Sequence, residues 1–182
     1  AVDQHGVSTV AIVGDAFAKP ILDALDADPE RWDLSSLVGF ISSGVMWSEE
    51  TKQGLLAHRP ELLLIDAFSS SEALGMGQSV SGGGATAHTA TFSAGPLSIV
   101  VSDDGRQIEP GSDEIGRLAV GGRQPIGYYK DEEKSAATFI EVEGRRYSCP
   151  GDYAQIQADG TITILGRGSV CINTGGEKVF PE

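Results

Sequence analysis

The sequence predicts an α/β fold in which a parallel sheet with flanking helices is followed by a small antiparallel β-barrel or sheet. Three short runs rich in apolar and β-branched residues are typical of buried strands. They span residues 7–13, 37–41 and 62–67. Helical segments between them imply parallel strands with right-handed crossovers. From Leu97 onward the runs are shorter, and Asp104-Gly105 and Asp159-Gly160 are hairpin signals between alternating strands.

The two helices of the first half have different start signals. Asp15 is expected to cap the first helix, in which Pro20 is tolerated only within the first turn. Ser48 is expected to cap the second helix. The acidic residues Glu49 and Glu50 follow it and would complement the positive end of the helix dipole.

Composition divides the chain into four predicted parts. Residues 1–74 form the α/β part, and residues 75–96 form a connector rich in Gly, Ser, Ala and Thr, interpreted as a long mobile loop. Residues 97–168 form the β-barrel or sheet subdomain, and residues 169–182 form a hinge and the start of a truncated further domain. The first residue is not Met and the last residues directly follow a motif, so we expect both ends to be cut.

Composition also excludes several classes of partner. The net charge of −13 would repel the phosphates of nucleic acid and of anionic membranes. No apolar run approaches the roughly 20 residues that span a bilayer, so we do not expect an integral membrane protein. No secretory signal is visible, and Cys149 and Cys171 have no metal-ligand spacing. We therefore expect a reduced, cytoplasmic location.

Two polar segments follow predicted strands, at the edge of a parallel sheet where ligands bind. Ser42–Met46 follows the second strand, and a tight turn is an almost equally good interpretation of it. Phe68-Ser69-Ser70-Ser71-Glu72 follows the third strand. Glu72 could hold Mg²⁺ while Ser71 binds a phosphate oxygen, although a Ser-Ser-Ser-Glu run is also a common helix N-cap.

Three small backbone motifs near the end of the sequence suit a phosphorylated ligand. Asp152, in a Gly-Asp turn, could accept hydrogen bonds from two hydroxyl groups, although a turn-only role is the default for such a pair. Arg167 carries a planar guanidinium fork suited to phosphate or ribose oxygens. Gly175 and Gly176 would allow close approach of a ligand to the backbone.

The order of these motifs resembles the end of the large domain of adenylate-forming enzymes. The Gly-Asp turn, the Asp-Gly hairpin, LGRGS at 165–169 and INTGGEKVFPE at 172–182 carry the resemblance. The most similar branch is the acyl-CoA synthetases that act on fatty acids or on steroid side-chain carboxylates. The resemblance covers nearly all 182 residues, which correspond to a middle section of a longer enzyme.

The resemblance implies roles for the candidate residues. Ser42–Met46 resembles a loop that lines the adenine and acyl pockets, and only Ser42 and Gly44 match that loop well. Ser43 and Gly44 are the predicted binding residues there, and Phe68 replaces the tyrosine that packs on adenine. Ser71 binds phosphate, Glu72 binds magnesium, Asp152 binds the ribose hydroxyls, and Arg167 binds ribose and phosphate oxygens. Gly175 and Gly176 form a loop beside which the pantetheine arm of CoA can pass. The chain departs from the family pattern at Phe68, at Ser69 in place of glycine, and at the hinge residue Ser169.

The implied reaction is ATP-dependent activation of a carboxylic acid as an acyl-adenylate, followed by transfer to CoA, with ATP, Mg²⁺ and CoA as cofactor and co-substrates. The phosphate loop and the catalytic lysine of the family are not found in this sequence, so the chain alone is expected to be inactive. A homodimer is possible. The alternative is a non-catalytic adenylate-binding or partner-binding module of the same fold, which the three departures favour.

Overall fold

A computed structural model of the chain describes residues 1–45, 47–83 and 91–168, and the backbone of residues 172–173 and 178–179. The chain divides into two compact units. The first comprises Ala1–Phe68 and Gln78–Thr89, and the second comprises Ser69–Gly77 and Ala90–Glu182. The predicted division into four parts stays a prediction.

The first unit contains a sheet with the strand order β1-β2-β3-β4 and three helices. β1 pairs parallel with β2, and β2 pairs parallel with β3, which confirms the predicted parallel sheet. The elements are α1 (Val2–His5), β1 (Thr9–Ile12), α2 (Asp15–Ala27), β2 (Gly39–Ser43), α3 (Glu49–His58), β3 (Leu63–Phe68) and β4 (Gly77–Ser81).

The start of α2 differs from the prediction. Gly14, and not Asp15, is the N-cap residue. The carboxylate of Asp15 instead accepts hydrogen bonds from the backbone N–H and the hydroxyl of Ser48, at 3.0 and 2.9 Å. Pro20 lies inside the helix, beyond its first turn, so that expectation is also wrong. The helix continues past the missing N–H of Pro20 because its inner face, including Ala18 and Leu25, is buried in the core.

The start of α3 confirms the prediction. The Ser48 hydroxyl accepts a hydrogen bond from the backbone N–H of Thr51 at 3.3 Å, as an N-cap residue does. Glu49 and Glu50 occupy the first turn. Because Asp15 holds the same serine, the N-terminus of α3 is fixed to the N-terminus of α2.

The core of the first unit lies between the sheet and the helices, and an ion pair is buried beside it. Lys52 on α3 is fully buried and its Nζ contacts the carboxylate of Asp66 on β3. The same Nζ lies 5.8 Å from the ring centroid of Trp47. Burial raises the pKa of Asp66 in spite of the lysine. The buried apolar residues are Ile12, Ala18, Leu25, Leu37, Phe40, Trp47, Leu55, Leu62 and Leu64.

The second unit is built on antiparallel strands, with the order β5-β11-β10-β7-β9-β8 and with β6 also on β7. The strand path is open over the described residues, so the sheet alternative of the prediction is confirmed there. The elements are β5 (Thr91–Ala94), β6 (Ser98–Val101), β7 (Gly116–Val120), α4 (Glu132–Thr138), β8 (Phe139–Val142), β9 (Arg145–Ser148), β10 (Asp152–Ile156), β11 (Thr161–Arg167), β12 (Ile172–Asn173) and β13 (Lys178–Val179).

Both predicted Asp-Gly turns are present. Gly160 has a φ of +82° and closes the β10–β11 hairpin, with its N–H donating to the carbonyl of Gln157 at 2.9 Å. Gly105 has a φ of +86°, and its N–H donates to the carbonyl of Ser102 at 3.0 Å. Only glycine adopts such positive φ angles without strain, which is why these dipeptides are reliable turn signals. The sequence did not predict α4 or the β8–β9 hairpin.

The interpretation of residues 75–96 as an unstructured connector is wrong where β4 and β5 form. A Cβ added at Gly77 would lie 3.1 Å from the Cβ of Phe92 and 3.3 Å from Cδ1 of Ile162. The small residues of this region therefore permit close packing of strands. A strand that is rich in glycine for this reason has the same composition as a flexible linker. Residues 84–90 lie outside the described part of the chain.

Candidate functional site

The polar segment after β2 begins at the carboxyl edge of the sheet, as predicted. Ser42 pairs in register with Asp66, and Ser43 pairs with Ala67, so Gly44 and Phe68 follow at the ends of neighbouring parallel strands. The Ser42 hydroxyl is buried and accepts a hydrogen bond from the N–H of Gly14 at 2.9 Å. In parallel sheets of this type, ligands bind at this edge. Met46 lies outside the described residues.

The serine-rich segment after β3 forms turns and not a helix, so the N-cap alternative is wrong. The hydroxyl of Ser70 accepts from the N–H of Ala73, and the hydroxyl of Ser69 accepts from the N–H of Gly75, both at 3.1 Å. Because these serines satisfy the local backbone, the segment is ordered without a helix. Ser71 is exposed and Glu72 is half-buried.

Glu72 is held by a tyrosine that the sequence analysis did not single out. Its Oε1 accepts a hydrogen bond from the hydroxyl of Tyr128 at 2.6 Å, a length typical of a hydrogen bond to a charged carboxylate. This bond is the main cause that lowers the pKa of Glu72, and the charge of Lys134 lowers it further. Glu72 is therefore a carboxylate anion at neutral pH. No local pattern could have revealed the contact, because 56 residues separate its two partners.

Asp152 and Arg167 face each other across the β10–β11 hairpin. They are paired in register, and Nε of Arg167 donates to Oδ1 of Asp152 at 3.1 Å. Asp152 is buried, with 5% of its surface exposed, whereas 58% of the Arg167 side chain is exposed. The N–H of Gly168 donates to the carbonyl of Gly151 at 2.9 Å and closes this end of the hairpin. A guanidinium has five N–H donors, so an exposed one that is fixed at Nε can still bind an anion.

Tyr128 interacts with Glu72 and also senses the charge of Arg167. The pKa of the Tyr128 phenol is raised chiefly by its bond to Glu72 and by burial, and the positive charge of Arg167 acts against that rise. Tyr128 is therefore within electrostatic range of both Glu72 and Arg167, and Arg167 contacts Asp152. Glu72 contacts Tyr128, and Asp152 contacts Arg167, within the second unit.

Comparison with known proteins finds relatives along the whole chain. No family model matches the sequence. The chain is 46% identical over 191 residues to a 3-oxocholest-4-en-26-oate–CoA ligase of Rhodococcus rhodochrous, with 100% of this chain and 34% of the relative covered. It is 44% identical over 187 residues to a medium/long-chain-fatty-acid–CoA/3-oxocholest-4-en-26-oate–CoA ligase of Mycobacterium tuberculosis, with 100% of this chain and 33% of the relative covered.

Solved structures agree with this relationship at the level of the fold. An anthranilate CoA ligase in complex with anthranoyl-AMP matches 99% of this chain and 33% of its own, with a TM-score of 0.76 and 19% identity. A long-chain-fatty-acid–CoA ligase from Archaeoglobus fulgidus matches 91% of this chain and 35% of its own, with a TM-score of 0.73 and 20% identity.

Along its whole length the chain is therefore similar to CoA ligases, and its fold is that of the solved ligase structures. It spans about a third of the length of the curated relatives that it matches. Within the adenylate-forming fold, Ser43, Gly44 and Phe68 belong to the first unit, and the other described candidates belong to the second. Ser169, Gly175 and Gly176 lie outside the described residues.

The magnesium ion used in adenylate formation fits the donor set around Glu72. Mg²⁺ takes hard oxygen ligands, and in nucleotide sites it is held by one or two carboxylates together with substrate phosphates and water. Over the described residues, no three His, Cys, Asp or Glu side chains cluster as a metal cage. The ionised carboxylate of Glu72 supplies oxygens of this kind.

The described helices are short. The longest of them, α2, has 13 residues, and none of the described helices is both long and apolar enough to span a bilayer.

Proposed function

We propose that the chain is a segment of an ATP-dependent, AMP-forming acyl-CoA synthetase. Such an enzyme activates a carboxylic acid as its acyl-adenylate and then transfers the acyl group to CoA. The observation that carries the proposal is a pair of contacts in the second unit, where Tyr128 holds the Glu72 carboxylate and Arg167 contacts Asp152. The relatives with which the chain aligns throughout are CoA ligases by name, which supports this reaction class.

In this proposal the Asp152–Arg167 pair holds the ribose. A carboxylate has two oxygens, so Asp152 can accept from Arg167 and also from the neighbouring 2′ and 3′ hydroxyls of a ribose. Its burial keeps the carboxylate in one orientation, since a side chain that is 5% exposed has little room to rotate. The remaining N–H groups of Arg167 then point to ribose and phosphate oxygens. In the first unit, Phe68 keeps its predicted role of packing on adenine, and Ser43 and Gly44 keep theirs beside adenine and the acyl group.

Glu72 is the proposed metal ligand, and Ser71 is the proposed phosphate ligand. Bound Mg²⁺ would neutralise charge on the phosphates of ATP during attack by the substrate carboxylate. Glu72 supplies an anion of fixed position, and the exposed hydroxyl of Ser71 precedes it in the chain. Gly175 and Gly176 keep their predicted role beside the pantetheine arm of CoA.

The proposed acid is a fatty acid or a steroid side-chain carboxylate. The names of the relatives support this class, because they specify medium- or long-chain fatty acids and 3-oxocholest-4-en-26-oate. A cytoplasmic location is proposed because ATP and CoA are available there. A homodimer stays a prediction, to be tested by measuring the mass in solution.

The isolated 182-residue chain is proposed to be inactive. Neither the phosphate loop nor the catalytic lysine expected of the family is found in this sequence. The test of function therefore uses the full-length enzyme that the proposal implies, with a non-hydrolysable acyl-adenylate analogue as the probe and calorimetry as the readout.

Asp152→Ala should weaken binding of the analogue by about 100-fold, since two hydrogen bonds to a charged group are lost at roughly 1.5 kcal/mol or more each. Asp113→Ala is the matched control, because it removes an exposed aspartate of the same unit and should leave binding unchanged. Thioester formation from ATP, CoA and a fatty or steroid acid supports the enzyme. Analogue binding without thioester formation would instead favour a non-catalytic adenylate-binding module, and absence of binding would contradict the enzyme and favour a partner-binding module.

A further inference from the structure

Neither the family resemblance nor the sequence analysis gives Tyr128 a role, but its contacts do. Its hydroxyl donates to Oε1 of Glu72 at 2.6 Å. This bond links the segment that precedes α4 to the turn that follows β3, and both belong to the second unit. A phenol and a carboxylate at this distance form a charge-assisted hydrogen bond, which is roughly twice as strong as a neutral one.

The phenol is fixed by its surroundings before any ligand arrives. The backbone N–H of Tyr128 donates to the hydroxyl of Ser135 at 2.7 Å, and that hydroxyl donates to the carbonyl of Asp131 at 2.6 Å. Nζ of Lys134 lies 4.1 Å from the centroid of the tyrosine ring, and the ring of Phe139 packs beside it with centroids 6.0 Å apart.

The segment before Tyr128 is also fixed. The guanidinium of Arg146 stacks on Phe139 at 4.5 Å and donates to the carbonyls of Pro125 and Ile126 at 2.9 and 2.8 Å. A Cβ at Gly127 would lie 2.8 Å from the hydroxyl of Ser135, so the chain passes close to α4 at this point. The tyrosine is thus held by its backbone, by Lys134 and Phe139 beside its ring and by the preceding segment, and its hydroxyl has a defined direction.

A fixed donor on one oxygen orients the whole carboxylate. Glu72 has three rotatable side-chain bonds and is half-buried, so without a partner its carboxylate would sample several rotamers. Tyr128 uses one acceptor position of Oε1, and a carboxylate has about four. Acceptor positions therefore remain for a cation, in an orientation that the phenol sets. Ligands held in this way by a second hydrogen-bonding partner bind metal more tightly.

We infer that Tyr128 is the positioning residue for Glu72: it orients the carboxylate that receives Mg²⁺ with ATP and acts on the nucleotide only through that carboxylate. This inference rests on the proposed function.

The test compares Tyr128→Phe with wild type in the full-length enzyme. Phenylalanine keeps the ring beside Lys134 and Phe139 and removes only the hydroxyl. Tyr129→Phe is the matched control, because it is the neighbouring tyrosine, its side chain is 88% exposed and Lys130 lies over its ring. The first readout is binding of Mn²⁺, as a paramagnetic probe for Mg²⁺, in the presence of a non-hydrolysable ATP analogue. The second is binding of AMP without metal, and the third is the Mg²⁺ dependence of ATP–pyrophosphate exchange.

Tyr128→Phe should weaken Mn²⁺ binding about tenfold and raise the Mg²⁺ concentration for half-maximal exchange by the same factor, because the carboxylate that binds the metal loses the hydrogen bond that orients it. AMP binding should not change, since Asp152 and Arg167 are untouched. In a Glu72→Gln background the same substitution should have no further effect, because a residue that acts through Glu72 is not additive with it. Tyr129→Phe should behave as wild type.

Unchanged metal binding in Tyr128→Phe would overturn the inference. Tighter metal binding would overturn it too, since the phenol would then compete with the metal. An equal loss in the wild-type and Glu72→Gln backgrounds would also overturn it. The proposed function fails separately, if the wild-type enzyme shows neither pyrophosphate exchange nor AMP binding that depends on Asp152.

Discussion

The buried Lys52–Asp66 pair offers a quantitative test of how the first unit is stabilised. The lysine side chain is 0% exposed and the aspartate side chain is 12% exposed. Two charges removed from water gain their mutual attraction only while both are present, because each alone carries a large desolvation cost. Replacing one partner should therefore be much worse than replacing both.

The magnitudes follow from this burial. Lys52→Met and Asp66→Asn should each lower the free energy of unfolding by about 3–5 kcal/mol, since each leaves one buried group without its partner. Domains are stable by roughly 5–15 kcal/mol, so either change removes a large part of the total. For a chain of this size, the loss corresponds to a fall in Tm of about 10 °C. The double variant Lys52→Met/Asp66→Leu should be within about 1 kcal/mol of wild type.

The assay is urea unfolding of the four chains at pH 7 and again at pH 4. Burial already raises the pKa of Asp66, and without Lys52 the pKa should rise further. A carboxyl group with a raised pKa in the folded state favours folding below its unfolded pKa and loses that contribution as the pH rises through its folded pKa. The destabilisation in Lys52→Met should therefore be larger at pH 7 than at pH 4.

Lys19→Met is the matched control. Lys19 pairs with Asp15 at 3.1 Å, but 58% of its side chain is exposed. A pair of this kind is worth less than about 0.5 kcal/mol. The reasoning is refuted if Lys52→Met costs no more than this control, or if the double variant costs as much as the sum of the two single ones.

Two further predictions concern packing and titration. A Cβ at Gly39 would lie 2.1 Å from the carbonyl oxygen of Leu63, so Gly39→Ala should lower the unfolding free energy by about 2–3 kcal/mol. Gly6→Ala is the control, because Gly6 has a φ of +60° and no atom lies within 4 Å of the added Cβ. It should lower the unfolding free energy by only about 1 kcal/mol. Equal losses in Gly39→Ala and Gly6→Ala would contradict the packing argument. The backbone N–H and the hydroxyl of Thr161 lower the pKa of Asp159, so this group stabilises the fold above its unfolded pKa and loses that effect as the pH falls through its folded pKa. Thr161→Val should move the pKa of Asp159 upward in an NMR titration, and an unchanged value would show that the hydroxyl has no part in the shift.

Elements with strong local signals were predicted well. The apolar runs before Ser43 and Phe68 formed parallel strands, Ser48 capped α3, and Asp159-Gly160 closed a hairpin. Each of these depends on neighbours within a few residues, so its physics is contained in a short stretch of sequence.

Elements that depend on distant contacts were missed. Pro20 does not end α2 because the helix is held by core burial, and the glycine-rich region that contains Gly77 forms a strand because its neighbours leave no room for a side chain. Asp15 bonds to Ser48 and does not cap its own helix. In each case the local sequence predicts the secondary structure only weakly, and tertiary packing overrides it.

The sequence by itself determined the family resemblance, the parallel order of the first three strands and the order of the candidate residues along the chain, because periodicity and turn chemistry are local properties. The hairpin between Asp152 and Arg167 already predicted that those two side chains could face one site, but only the tertiary structure decided that Tyr128 meets Glu72. The bond from Tyr128 to Glu72 spans 56 positions, and the Asp152–Arg167 pair depends on the register of a hairpin. Contacts of this kind are set by how the backbone packs, and no short stretch of sequence encodes that packing.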